Sequence, residues 1–185
     1  MFPGGGYYTR IFALVVGPKG HVYSVVPSEA VEAEKPRDPL APVNALAAEP
    51  AFANVSALVQ PMKSFDPPRK LDLVFISQYY HDMHNPRFGG PDVASVNKAV
   101  FAALKPGGVY LIIDHSAPGT GITATNTLHR IHAEAVKSEI AAAGFVLDAS
   151  SDVLKNPDDP HTAMVFAPSI RGKTDQFMLR FRKPK

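Results

Sequence analysis

Two apolar runs constrain this chain more than anything else in it. Leu71-Asp72-Leu73-Val74-Phe75-Ile76-Ser77 and Val109-Tyr110-Leu111-Ile112-Ile113 are almost continuous in aliphatic and aromatic residues. A strand with one wet face alternates apolar with polar residues; a continuous run belongs to a strand covered on both faces, as in parallel sheets flanked by helices. Between the two runs, Val93, Val96, Val100 and Leu104 recur at helical spacing, with Asp92 placed to cap the helix. Strand, helix and strand in this order make a parallel crossover unit, and the chain is read as α/β.

The rest of the chain extends the pattern. Gly4-Gly5-Gly6 opens it, and Tyr7 to Val15 reads as a short helix with Ile11, Leu14 and Val15 on one side. His21 to Val26 is a β-branched strand stopped by Pro27, and Val55 to Val59 is a second short strand. Between them the chain is weakly patterned and broken by prolines, with a short helix expected around Val43 to Glu49. Pro106-Gly107-Gly108 ends the helix that Asp92 begins. Thr127 to Ala143 reads as one helix with Leu128, Ile131, Ala135 and Ile140 inward and Gly144 as its stop. The last two strands start at Phe145 and at Gln176 with no strong helical pattern between them, so that pair is expected to be antiparallel.

Composition excludes several classes. A chain of 185 residues has room for one domain with a real core, and the whole chain is read as one domain. A formal charge of +2 is too small to point to nucleic acid or an anionic membrane as partner. The chain holds no cysteine, which removes disulfides, thiolate metal sites and a cysteine nucleophile. No stretch approaches the roughly 20 apolar residues of a membrane span.

Two short motifs carry a family resemblance. Pro3-Gly4-Gly5-Gly6-Tyr7-Tyr8-Thr9 resembles the glycine-rich first loop of class I S-adenosylmethionine-dependent methyltransferases. Leu104-Lys105-Pro106-Gly107-Gly108-Val109-Tyr110 resembles the turn into their fifth strand. Tyr79-Tyr80-His81-Asp82, Thr127-Leu128-His129-Arg130-Ile131, Asn156-Pro157-Asp158-Asp159 and Ile170-Arg171-Gly172-Lys173-Thr174-Asp175 are similar to segments of a bacterial group of predicted methyltransferases without an assigned substrate. The resemblance implies a Rossmann-like sheet, mostly parallel with an antiparallel C-terminal strand. It also implies S-adenosylmethionine as cofactor and names no substrate; the chain is read as transferring a methyl group to a small-molecule acceptor.

Residue chemistry suggests where each part of such a reaction would sit. Glycines at a helix N-terminus let a carboxylate approach the free N–H groups, so Gly4, Gly5, Gly6 and Tyr7 are candidates for cofactor binding. The alternative is a plain tight turn. The dinucleotide pattern G-x-G-x-x-G fails at Thr9, which argues against a nicotinamide oxidoreductase. Glu29, just past the first strand, is the candidate for the ribose hydroxyls, and Met62, Lys63 and Gln78 complete the expected cofactor set. Tyr80, His81 and Asp82 follow one buried strand, and Asp114 and His115 follow the next. Ligands of open α/β sheets bind beyond the carboxyl ends of strands, and a histidine oriented by a carboxylate suits general-base work. His129, Arg130 and His161 are candidates for the acceptor site, with Arg171 and Lys173 further cations for an anionic group. His81, Asp82, His84, Asp114 and His115 include ligand types for a metal, but no pair has a dedicated ligand spacing, so no metal is expected.

One feature departs from the resemblance. The glycine loop should follow a central strand, and only Met1, Phe2 and Pro3 precede it. The expectation is an N-terminally truncated domain, cytoplasmic, or periplasmic where a signal peptide lies upstream. The alternative is a non-catalytic or decayed module acting through oligomerisation, as a homo-oligomer, or through a partner.

Overall fold

The computed structural model describes residues 1–86 and 92–185. They divide into two compact units, Met1–Pro67 and Pro68–Lys185.

The first unit contains helix α1 (Tyr7–Val16), strand β1 (Val22–Pro27), helices α2 (Ser28–Glu34) and α3 (Ala41–Ala47), and strand β2 (Val55–Gln60). β1 and β2 pair in parallel, Val22 beside Val55 through Pro27 beside Gln60. Their core is Ala13, Val43, Leu46, Phe52 and Val55. The backbone N–H of Phe2 donates to Val25 O at 2.8 Å, so the residues before the glycine loop lie against β1. Among the described residues no strand precedes that loop. Two expectations change here. α1 buries Thr9 and Ala13, not Ile11, Leu14 and Val15, which are exposed. Thr9 Oγ1 meets Ser24 Oγ at 2.7 Å, so a buried polar pair rather than the aliphatic stripe ties α1 to β1. α2 forms where no helix was expected: Pro27 is extended, with φ −61° and ψ 138°, and serves as its N-cap.

The second unit holds strand β3 (Leu71–Ser77), helix α4 (Val93–Ala103), strand β4 (Leu104–His115), helices α5 (Thr125–Leu128) and α6 (Ala133–Ala142), and strands β5 (Val146–Ser151) and β6 (Gln176–Arg182). Its sheet order is β3-β4-β6-β5. β3 and β4 are parallel, and β6 is antiparallel to both β4 and β5, as the missing crossover helix predicts. α4 packs on β4 and α6, with Phe101 edge-on to Phe145 at 5.0 Å. Asp92 caps α4 by accepting from the Ala94 N–H. β3 is covered less than its composition suggests, because Asp72 and Leu73 are exposed. The helix expected over 127–143 is broken. His129 adopts a left-handed conformation, φ 54°, and ends α5, while Ile131 bridges to Ser116 beyond β4 before α6 begins. No helix among the described residues is long and apolar enough to cross a membrane.

Candidate active site

The candidate residues fall into two groups, one in each unit. In the first unit, Gly4 and Gly6 have φ of 52° and 81°, which L side chains avoid. A side chain on Gly4 would meet only open space, so the turn leaves a clear approach to the N-terminus of α1. Tyr7 is exposed there. Glu29 lies in the first turn of α2, directly beyond β1. Its two carboxylate oxygens lie 3.2 and 3.3 Å from the Met62 N–H, which they accept. Met62 is itself fully buried and Lys63 is exposed.

In the second unit, the carboxyl ends of β3 and β4 build a buried polar cluster. The Gln78 N–H donates to Ile113 O at 2.8 Å, which keeps the chain beside β4 for one residue past β3. A 3₁₀ turn, His81–His84, follows. The Asp114 carboxylate then receives the His81 backbone N–H at 2.8 Å, the His81 ring Nδ1 at 2.7 Å and the His115 N–H at 2.7 Å. Burial opposes the charge on Asp114, but the His81 ring and these donors outweigh it and hold the carboxyl below the usual carboxylate range. Burial likewise opposes a charged His81, and the Asp114 carboxylate reverses the balance, raising the ring's affinity for a proton. His115 is pushed down to about 4 by burial, and its Nδ1 pairs with Thr174 Oγ1 at 2.8 Å. Burial raises the Asp82 carboxyl.

His129 joins this cluster. Its Nδ1 lies 3.3 Å from His81 Nε2 and 3.2 Å from Asp82 Oδ1, and the Phe166 ring packs against it at 5.1 Å. The break that ends α5 is what places it there. Sequence periodicity favours a continuous helix and carries no signal for that break.

Several expected site residues are placed elsewhere. Tyr80 is fully buried, its hydroxyl donating to Glu139 at 3.0 Å and accepting from Asn97 at 2.8 Å, so it is a core residue rather than a catalytic one. Burial drives its pKa well above the ordinary tyrosine value. Arg130 is fully buried too, donating to both oxygens of Asp159 and to the carbonyls of Ser116 and Ala163, which makes it a structural arginine rather than an acceptor-binding one. His161 pairs with Asp175 at 3.0 Å, outside the cluster. His84 reaches Glu139 at 3.2 Å instead of the cluster. Gln78 bonds to Gln176 at 3.1 Å.

Backbone comparison then decides the fold. The chain superposes with a TM-score of 0.63 on the glycopeptide N-methyltransferase MtfA complexed with S-adenosylmethionine, at 17% identity over 100% of this chain and 80% of that one. The chain has the class I methyltransferase fold. It is also similar to Burkholderia thailandensis 1,6-didemethyltoxoflavin-N1-methyltransferase, solved with bound 1,6-didemethyltoxoflavin and S-adenosylhomocysteine (TM-score 0.66, 16% identity, 100% of this chain and 69% of that one). A third relative in structure is the [4+2]-cyclase SpnF (TM-score 0.67, 16% identity, 98% and 72%). No family model and no curated protein sequence matches. The methyltransferase fold is therefore shared with an enzyme whose reaction is a cyclisation.

Proposed function

We propose that this chain transfers a methyl group from S-adenosylmethionine to a small-molecule acceptor. The observation that carries the reading is the glycine turn: Gly4 and Gly6, both left-handed, open the N-terminus of α1, and Glu29 stands just beyond β1 in the same unit. Free N–H groups at a helix N-terminus suit a carboxylate, and a carboxylate suits a diol. Gly4, Gly5 and Gly6 would hold the amino-acid end of the cofactor, Glu29 its ribose, and Met62 and Lys63 would lie beside its adenine. Glu29 fits this role because, among the described residues, its two oxygens take hydrogen bonds from two donors, the Met62 N–H and Ser28 Oγ, which leaves them capacity for a diol. The chemistry that S-adenosylmethionine supplies when bound is an electrophilic sulfonium methyl.

His81, Asp82, Asp114 and His129 activate the acceptor. Asp114 holds the His81 ring by Nδ1, which leaves Nε2 facing His129 Nδ1 and Asp82 Oδ1. With that methyl supplied, this cluster would take up the proton that the acceptor gives up. Neutral His115 stands behind Asp114 as a positioning residue. The test is formation of S-adenosylhomocysteine when the chain is given S-adenosylmethionine and a panel of small phenols, amines and carbon acids. Turnover with one of them that His81→Ala abolishes supports the reading; release of no S-adenosylhomocysteine with any of them, or turnover unchanged in His81→Ala, contradicts it.

A second reading is favoured by one observation. The outer face of α1, with Tyr7, Ile11, Leu14 and Val15, is apolar and exposed. Such a face suits a non-catalytic module that oligomerises or docks a partner. That reading predicts self-association by light scattering without any S-adenosylhomocysteine release.

A further inference from the structure

Three ligand atoms in the second unit form a nearly equilateral triangle. His81 Nε2 and His129 Nδ1 are 3.3 Å apart, His129 Nδ1 and Asp82 Oδ1 are 3.2 Å apart, and His81 Nε2 and Asp82 Oδ1 are 3.5 Å apart. Bonds of about 2.0–2.1 Å from zinc to nitrogen and oxygen, at tetrahedral angles, put ligand atoms about 3.3–3.4 Å apart. The triangle therefore has the dimensions of one face of a tetrahedral site. An octahedral ion with the same bond lengths would need edges of about 2.9 Å.

With the hydrogen of a neutral His81 ring on Nδ1, facing Asp114 Oδ1 at 2.7 Å, Nε2 carries a lone pair. His129 Nδ1 has at most one hydrogen for its two neighbours, His81 Nε2 and Asp82 Oδ1. Asp82 Oδ1 is sealed from solvent, and its nearest donors are His129 Nδ1 at 3.2 Å and His81 Nε2 at 3.5 Å. A buried carboxylate oxygen that must share its few donors is costly, and one cation would satisfy all three atoms at once.

The surroundings match as well. Asp114 stands behind His81 as carboxylates stand behind metal-bound imidazoles, fixing the tautomer that ligates. Two imidazoles and one carboxylate with no thiolate suit zinc and its neighbours in the first transition row. His81 and Asp82 are adjacent on one 3₁₀ turn, while His129 lies on a separate loop, so no regular spacing announces the set.

We propose that His81 Nε2, His129 Nδ1 and Asp82 Oδ1 bind a divalent cation of the zinc type, with the fourth position open to water or to an acceptor oxygen. This deepens the reading of the cluster as the acceptor-activating end and rests on it only for the cation's part in catalysis. A bound cation lowers the pKa of a coordinated hydroxyl, so the acceptor loses its proton without a free imidazole base.

The test uses the tag-free chain, stripped with a chelator, dialysed and titrated with zinc chloride against a chromogenic competitor. The expected result is one equivalent of zinc per chain, with the visible bands of four-coordinate cobalt when Co²⁺ replaces it. His129→Gln and Asp82→Asn each weaken zinc binding roughly tenfold or more, while His21→Ala leaves it unchanged. Circular dichroism confirms that the variants are folded. No stoichiometric zinc binding by the parent chain, or binding that both variants leave intact, would overturn the site. Equal S-adenosylhomocysteine formation by the zinc-free and zinc-loaded chains would overturn the cation's role in the reaction. Zinc binding without any methyl transfer would instead overturn the functional reading and leave the site standing.

Discussion

Asp114 Oδ1 lies 2.7 Å from His81 Nδ1, and the same carboxylate takes the backbone N–H of His81. One acid thus sets both the ring and the turn that carries it. Asp114→Asn keeps the volume but loses the charge. It should lower the rate of methyl transfer by about 100-fold or more, with a smaller change in KM for the acceptor. Steady-state kinetics check this. A variant whose kcat is unchanged would show that the pair is only structural.

Arg130 and Asp159 form a buried pair at 2.8 Å, both side chains sealed from solvent. Asp159 also receives the backbone N–H groups of His161 and Asp175, so the pair ties down the segment leading to β6. Arg130→Ala strands a buried carboxylate and should cost about 3–5 kcal/mol of stability. Chemical denaturation measures it. A loss of acceptor affinity at unchanged stability would restore Arg130 to the binding site.

His115 gives the fold a pH dependence of known sign. Burial depresses its pKa to about 4, below the ordinary 6.5. The neutral ring's contribution is fully present above the unfolded value, and it is lost as pH falls from about 6.5 through 4. The loss is of the order of 3 kcal/mol for an isolated group. His115→Gln should flatten the acid limb of the melting temperature measured against pH. An acid limb unchanged in that variant would assign the effect to other groups.

Gly6 has φ 81°, and a Cβ there would meet the Leu46 side chain at 3.4 Å. Gly6→Val should therefore distort the turn and weaken S-adenosylmethionine binding roughly tenfold or more, with Glu29→Ala acting in the same direction through the ribose. Isothermal titration reads both. Unchanged affinity in the two variants would remove the glycine turn from the site.

Much of this was legible in the residues. The run Leu71–Ser77 and the helix begun by Asp92 appear where apolar spacing puts them, although the helix ends at Ala103 and Leu104 already opens β4, and the absence of a helix before Gln176 announces the antiparallel strand. The meeting of His81 with Asp114 follows from their places beyond adjacent strands. What periodicity could not carry was side-chain direction. Tyr80 and His81 are neighbours on one turn, yet Tyr80 enters the core with Asn97 and Glu139 while His81 meets Asp114. Nor could it show that Arg130 has a buried partner 29 residues on, since the pairing depends on a loop without a repeat. His129 reached the cluster only because a left-handed residue interrupts a helical pattern.

The central claim is that this chain uses S-adenosylmethionine. Calorimetric titration of the chain with S-adenosylmethionine and with S-adenosylhomocysteine tests it most directly. The account predicts saturable binding of both at one site per chain, weakened by Glu29→Ala. Absence of heat from either ligand with a folded chain would contradict it.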